Sequence, residues 1–326
     1  MTWASCRFLI LVFLCASLNL IQAESPDGNS GKPSNPVNQS ESEDGSQRLT
    51  TDGSYKHRPV WGLDGKTLYY ARHESGGNTI FLRKIRIESE TEPERVTRRK
   101  DPEYHASVSP DGSRLLFTQI TLSGTQGNLD IAVIPSDGKS DPRVVAGDHG
   151  KLSHQDWPSW LPDGKRFVFQ STHEGNQELY LGSIDDSTPL KRLTQSPGQD
   201  VHPAVSPDGR TVLFATDRWN GLELATLDLE TLEVARVTQS PRLDDYPFYS
   251  PDGRFFTFVS NRTGNLEIWL GDFEGNLLQL TKRDAPDLFP AITPDGENVS
   301  FVSGRLGDTD IFLKPIPQSW RDSNRK

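Results

Sequence analysis

The sequence predicts an all-β protein, a six-bladed β-propeller of four-stranded antiparallel blades whose last blade is completed by an outer strand from the N-terminal side. Three observations carry this. A turn of the form Leu/Pro-Asp-Gly recurs at Leu63, Pro110, Pro162, Pro207, Pro251 and Pro294, at intervals of 47, 52, 45, 44 and 43 residues. Repeats near that length with several strands each are blades, which cannot bury both faces until neighbours stack on them. Seven residues after the start of each turn stands an aromatic: Tyr70, Phe117, Phe169, Phe214, Phe258 and Phe301. A phrase such as Arg-Leu-Thr also recurs, beginning at Arg48, Arg95, Val144, Arg192, Arg236 and Gln279.

Each unit parses alike. A short inner strand such as Pro203–Ser206 meets Pro-Asp-Gly, where Pro presets φ, Asp bonds the nearby backbone and Gly takes the left-handed position. The second strand alternates and carries the repeated aromatic, which packs between blades. A Gly/Asn turn follows, at Gly76, Gly127, Gly175, Asn220, Gly264 and Gly307, then a third strand such as Asn265–Phe273 and an outer strand ending in the Arg-Leu-Thr phrase. One such phrase precedes the first turn and none follows the sixth third strand at Asp310, so Gln47–Thr51 is expected to close the circle. Closure removes free sheet edges.

The boundaries follow: 1–23 an export leader, 24–45 a tether, 46–317 the propeller and 318–326 a tail. The leader joins Arg7, an apolar run from Phe8 to Leu18 and a small residue, Ala23, at the cleavage position. That run is too short to span a bilayer, which predicts a periplasmic or secreted chain with no transmembrane span after processing. Both cysteines, Cys6 and Cys15, fall in the leader, so the processed chain is expected to use no thiol chemistry. The tether, rich in Ser, Pro, Asn and Gly, has too little apolar surface to offset the entropy of ordering it.

Over 326 residues, 35 Lys and Arg stand against 45 Asp and Glu, a net charge of -10. Nucleic acid needs a concentrated positive face, so it is not the expected partner. No Gly-x-Ser-x-Gly elbow or His-Glu-x-x-His motif occurs, and no catalytic set emerges from the residues alone.

The stretches Asp200–Leu229, Asp244–Phe273 and Asp287–Ile316 resemble the WD40-like (PD40) repeats of the TolB β-propeller, and the resemblance extends from Gln47 to Pro317. The α/β domain that precedes the propeller in TolB has no counterpart in the tether. The resemblance implies an exported six-bladed propeller that binds proteins, and the chain is expected to be a non-enzymatic, monomeric platform for a protein or peptide of the cell envelope. In the family pattern an Asp sits seven residues before the turn. The residues there are Lys56, Glu103, Gln155, Asp200, Asp244 and Asp287, with Asp156 and Asp245 adjacent.

Two readings of these carboxylates stand side by side. Each caps its own loop by bonding backbone N–H groups, or together they form an acidic channel mouth that attracts a basic peptide or holds a hard cation such as Ca2+. On the second reading the binding residues are Glu103, Asp156, Asp200, Asp244, Asp245, Asp287 and the nearby His57, His105 and His202. A rival from another class rests on His57, His105, His202 and Gln155, which superficially resemble the axial metal set of oligogalacturonate lyases and imply a metal-dependent polysaccharide lyase.

Overall fold

The structure, a computed structural model, describes residues 44–323 except 75–78, 90, 124–125, 148–152, 186–187 and 307–308. The leader, nearly all of the tether and the turn glycines Gly76 and Gly307 lie outside the described residues. The chain begins with β1 (Gln47–Arg48). The first blade is β2 (Lys56–Trp61), β3 (Thr67–His73), β4 (Ile80–Arg86) and β5 (Glu94–Arg95), and the second is β6 (Glu103–Val108), β7 (Arg114–Ser123), β8 (Gln126–Pro135) and β9 (Arg143–Ala146). The third is β10 (Gln155–Trp160), β11 (Arg166–Ser171), β12 (Glu178–Ser183) and β13 (Lys191–Arg192). The fourth is β14 (Asp200–Val205), β15 (Thr211–Thr216), β16 (Glu223–Asp228) and β17 (Val234–Arg236). The fifth is β18 (Asp244–Tyr249), β19 (Phe255–Ser260), β20 (Glu267–Asp272) and β21 (Leu277–Gln279). The sixth is β22 (Asp287–Ile292), β23 (Asn298–Ser303) and β24 (Asp310–Pro315), with β1 as its outer strand.

The inner strands β2, β6, β10, β14, β18 and β22 touch neighbour to neighbour, and β22 returns to β2, so the blades form a closed circle. The latch is antiparallel: Gln47 lies opposite Leu313 and Arg48 opposite Phe312, and the Leu49 amide donates to the Ile311 carbonyl at 2.8 Å. Charge reinforces it. Asp310, fully buried, accepts from Arg48, from Thr50 Oγ1 at 2.8 Å and from Lys56 Nζ at 3.0 Å, which ties the closing strand, the last blade and the first blade to one carboxylate. The Arg-Leu-Thr phrase has the same meaning elsewhere. Arg192 and Thr194 both bond Glu178, Arg236 bonds Glu223, and Thr281 bonds Glu267, so in the third, fourth and fifth blades the outer strand is fastened to a carboxylate at the start of the third strand.

The repeated aromatics Tyr70, Phe117, Phe169, Phe214, Phe258 and Phe301 are all fully buried. The repeated turn glycines, from Gly65 to Gly296, have φ between 62° and 73°, which L-residues with a side chain adopt only with strain. The longer second unit is a hairpin extended along β7 and β8. Within the expected tail a short helix, α1 (Gln318–Ser323), forms, with Trp320 in apolar contact with the core and Arg321 paired with Glu297 at 3.3 Å.

Candidate functional site

The first residue of every inner strand is buried, which determines what the expected acidic mouth can present. Lys56, Glu103, Gln155, Asp200, Asp244 and Asp287 are at most 2% exposed. In the last three blades the carboxylate meets an arginine eighteen residues on, just beyond the second strand: Asp200 with Arg218, Asp244 with Arg262 at 2.8 Å and Asp287 with Arg305 at 2.9 Å. Glu103 accepts from Thr97 and from the Leu82 amide, and Gln155 donates to Ser153 Oγ at 2.7 Å. Burial pushes the Glu103, Asp200 and Asp287 carboxyls up, against the pull of their hydrogen bonds and arginines. Asp200, Asp244 and Asp287 fasten loops of their own blades, while Glu103 and Lys56 reach across to the blade before. The carboxylates among them are buried and paired or hydrogen-bonded and are not displayed as an open negative surface.

The next two residues make the axial site. In all six blades the pairing of inner and second strands shifts register after the second inner-strand residue. The third residue there bulges into the left-handed region: Arg58 (φ 38°), His105 (43°), Trp157 (58°), His202 (53°), Tyr246 (53°) and Phe289 (55°). Five of these precede a proline, which makes the conformation costlier still. Such strain persists only where packing over-determines it, and it gathers at working sites.

Packing around the axis supplies that constraint. The Trp157 ring lies 4.2 Å from His105, 4.4 Å from His202 and 5.4 Å from Tyr246 by centroid, and Tyr246 meets Phe289 edge-on at 4.8 Å. The Arg58 guanidinium sits over Trp157 at 4.2 Å. The six residues close the axis as an aromatic plug with a cation on it.

Asp156 and Asp245, at the second position of their blades, hold this plug. Asp156 Oδ1 accepts from the Trp157 amide at 2.7 Å and Asp245 Oδ1 from the Tyr246 amide at 2.7 Å, which supports the left-handed residue that follows. Each also takes a ring N–H from the preceding blade, His105 Nδ1 to Asp156 at 2.7 Å and His202 Nδ1 to Asp245 at 2.6 Å. Burial alone would raise the Asp156 carboxyl. The adjoining His105, Thr118 and the Trp157 amide hold it down at about 2. His57 packs edge-on against Phe289 at 5.8 Å and lies 3.1 Å from His73 by Nε2 to Nε2, and burial drives its pKa to about 3.

The structure therefore brings His105, His202, Asp156 and Asp245 to the axis and leaves Glu103, Asp200, Asp244 and Asp287 inside their blades. It does not assemble a lyase-like metal set. Trp157 lies between His105 and His202, Gln155 is engaged with serine, and no group of three His, Cys, Asp or Glu side chains could hold one ion among the described residues. That donor set does not fit the metal of such an enzyme, nor does it offer Ca2+ a cage of oxygens.

A cavity of about 350 Å³ lies on the other side of the plug, toward the Pro-Asp-Gly hairpins. Arg58, Trp157, Tyr246 and Phe289 form its floor, and inner-strand and turn prolines such as Pro203 and Pro251 line its wall. None of the nine expected binding residues lines it. The sequence did carry a signal for this site: a large residue directly before the inner-strand proline in five units, and His105 before Ala106 in the other.

No protein-family model matches the chain. It is 34% identical over 136 residues to a TolB homologue of Chlorobium luteolum, a match covering 42% of this chain and 29% of that protein. Among solved structures it is similar to a provisionally named TolB from Agrobacterium tumefaciens, with a TM-score of 0.63 at 24% identity over 81% of this chain and 91% of that one. It is also similar to an oligogalacturonate lyase of Vibrio parahaemolyticus, with a TM-score of 0.59 at 13% identity over 84% and 94%. At these identities the structural matches speak to the fold alone.

Proposed function

Taking the chain as a propeller of the TolB type, we propose that it is a non-enzymatic interaction platform of the cell envelope, exported by its leader and working as a monomer, whose channel receives an extended peptide or a protein loop. The observation that supports this most is the plugged axis with a cavity above it. A channel closed by Trp157 and its neighbours passes nothing through, but it offers a concave, mostly apolar seat of the size ligand sites have. The entry for the partner is the hairpin end. The carboxylates and histidines of the opposite end, including Asp156, Asp245, His105 and His202, shape the floor from beneath.

The lyase reading shares the fold but lacks the converging donors its chemistry requires. Affinity capture from the native envelope tests the platform reading, with wild-type protein beside Ala204→Phe, which fills the cavity wall. The reading expects a defined partner on the wild type that is lost from the variant. Undiminished capture by Ala204→Phe would place binding elsewhere.

A further inference from the structure

Arg58 is the one charged residue lining the cavity, among the described residues. The arginines beyond the second strands of the last three blades each have a carboxylate: Arg218 has Asp200, Arg262 has Asp244 and Arg305 has Asp287. Arg58 makes no ion pair among the described residues. Its Nη2 reaches the Pro158 carbonyl at a long 3.4 Å, and its Nη1 is buried with no hydrogen-bond partner. Asp156, the carboxylate whose charge it feels, is committed to His105, Thr118 and the Trp157 amide.

Resting on the reading that this cavity receives a partner's segment, we infer that the group reaching the floor is a carboxylate carried next to an apolar or aromatic side chain, and that Arg58 receives it. A guanidinium presents a planar fork of N–H donors that matches two carboxylate oxygens. The floor around it is Trp157, Tyr246 and Phe289, and the wall is proline-rich, so the neighbour of that carboxylate meets rings and aliphatic carbon. The specificity is opposite in sign to that of an acidic mouth. Burial lowers the Arg58 pKa to about 9, against the pull of the Asp156 charge, which leaves it charged at neutral pH. The backbone of Arg58, at φ 38° before Pro59, holds the side chain at this place.

The carboxylate could belong to an acidic side chain or to a chain end, and three acetylated peptides separate these sources. The first is acetyl-Pro-Phe-Glu-Phe-amide, the second its Gln counterpart, and the third that Gln peptide with a free C-terminus. By titration calorimetry on the full propeller, one carboxylate peptide is expected to bind at least roughly tenfold tighter than the neutral one, as for a charge-assisted pair. The preference should vanish in Arg58→Gln and persist, reduced, in Arg58→Lys. Equal affinities, no binding by any peptide, or a preference that survives in Arg58→Gln would overturn the inference. Should Arg58→Gln fail to fold, the wild type still decides: the carboxylate peptide must shift the Arg58 side-chain 15N resonance and the neutral one must not. If the peptides show no charge preference while Ala204→Phe still abolishes partner capture, this inference fails and the platform reading stands.

Discussion

His202 and Asp245 meet across a blade boundary, Nδ1 to Oδ1 at 2.6 Å, while the same carboxylate oxygen accepts the Tyr246 amide. One side chain thus joins two blades and supports the left-handed residue that brings Tyr246 to the axis. Asp245→Asn keeps the shape but replaces the ionised acceptor with a neutral one. It should destabilise by about 1.5–3 kcal/mol, the range for a hydrogen bond to a charged group, read by chemical denaturation, with the tryptophan emission shifting as the plug loosens.

Asp310 bears the latch. Asp310→Ala leaves the buried Lys56 and the partly exposed Arg48 without their shared anion, and breaking the buried Lys56 pair in this way costs about 3–5 kcal/mol. Removing residues up to Thr50 takes away the closing strand itself and should lower the melting temperature at least as much. A truncated chain that melts with the wild type would mean the circle does not depend on its latch.

Triple charge reversal at Asp200, Asp244 and Asp287 would set buried cations against the partly buried Arg218, Arg262 and Arg305. The expected outcome is loss of the fold, visible by circular dichroism, and not a folded protein with altered surface charge. A folded triple variant would show these carboxylates to be more accessible than their burial implies.

Acid should loosen the molecule through His57. Its pKa is about 6.5 in the unfolded chain and about 3 when folded, because burial disfavours the charged ring. The unfolded state then binds the extra proton first. Stability is fully present above pH 6.5 and falls as pH drops toward 3, by several kcal/mol in all. His57→Gln removes this group and should flatten the dependence of unfolding free energy on pH across that window.

Much of the fold was legible because the blade's needs recur. Pro-Asp-Gly at fixed spacing, one aromatic per second strand and a surplus Arg-Leu-Thr phrase before the first turn led to six blades and a latch between β1 and β24. The site was harder to read. A repeated Asp seven residues before a turn looks the same in letters whether it faces a channel or an arginine, and the partner arginines Arg218, Arg262 and Arg305 lie eighteen residues on, where only the register of two strands brings them together. The plug was hidden for the opposite reason. Arg58, His105, Trp157, His202, Tyr246 and Phe289 share a backbone bulge but no chemistry, so a search for like residues at like positions passes over them.

The central claim is that partners enter the hairpin end and stop on the plug. A photo-activatable benzoyl-phenylalanine placed at Val205 in the cavity wall, and in a second protein at the exposed Leu277 on the outer strand of the fifth blade, tests it in the native envelope. The account predicts one defined cross-linked partner from position 205 and none from 277. Cross-linking from 277 with nothing captured from 205 would contradict it.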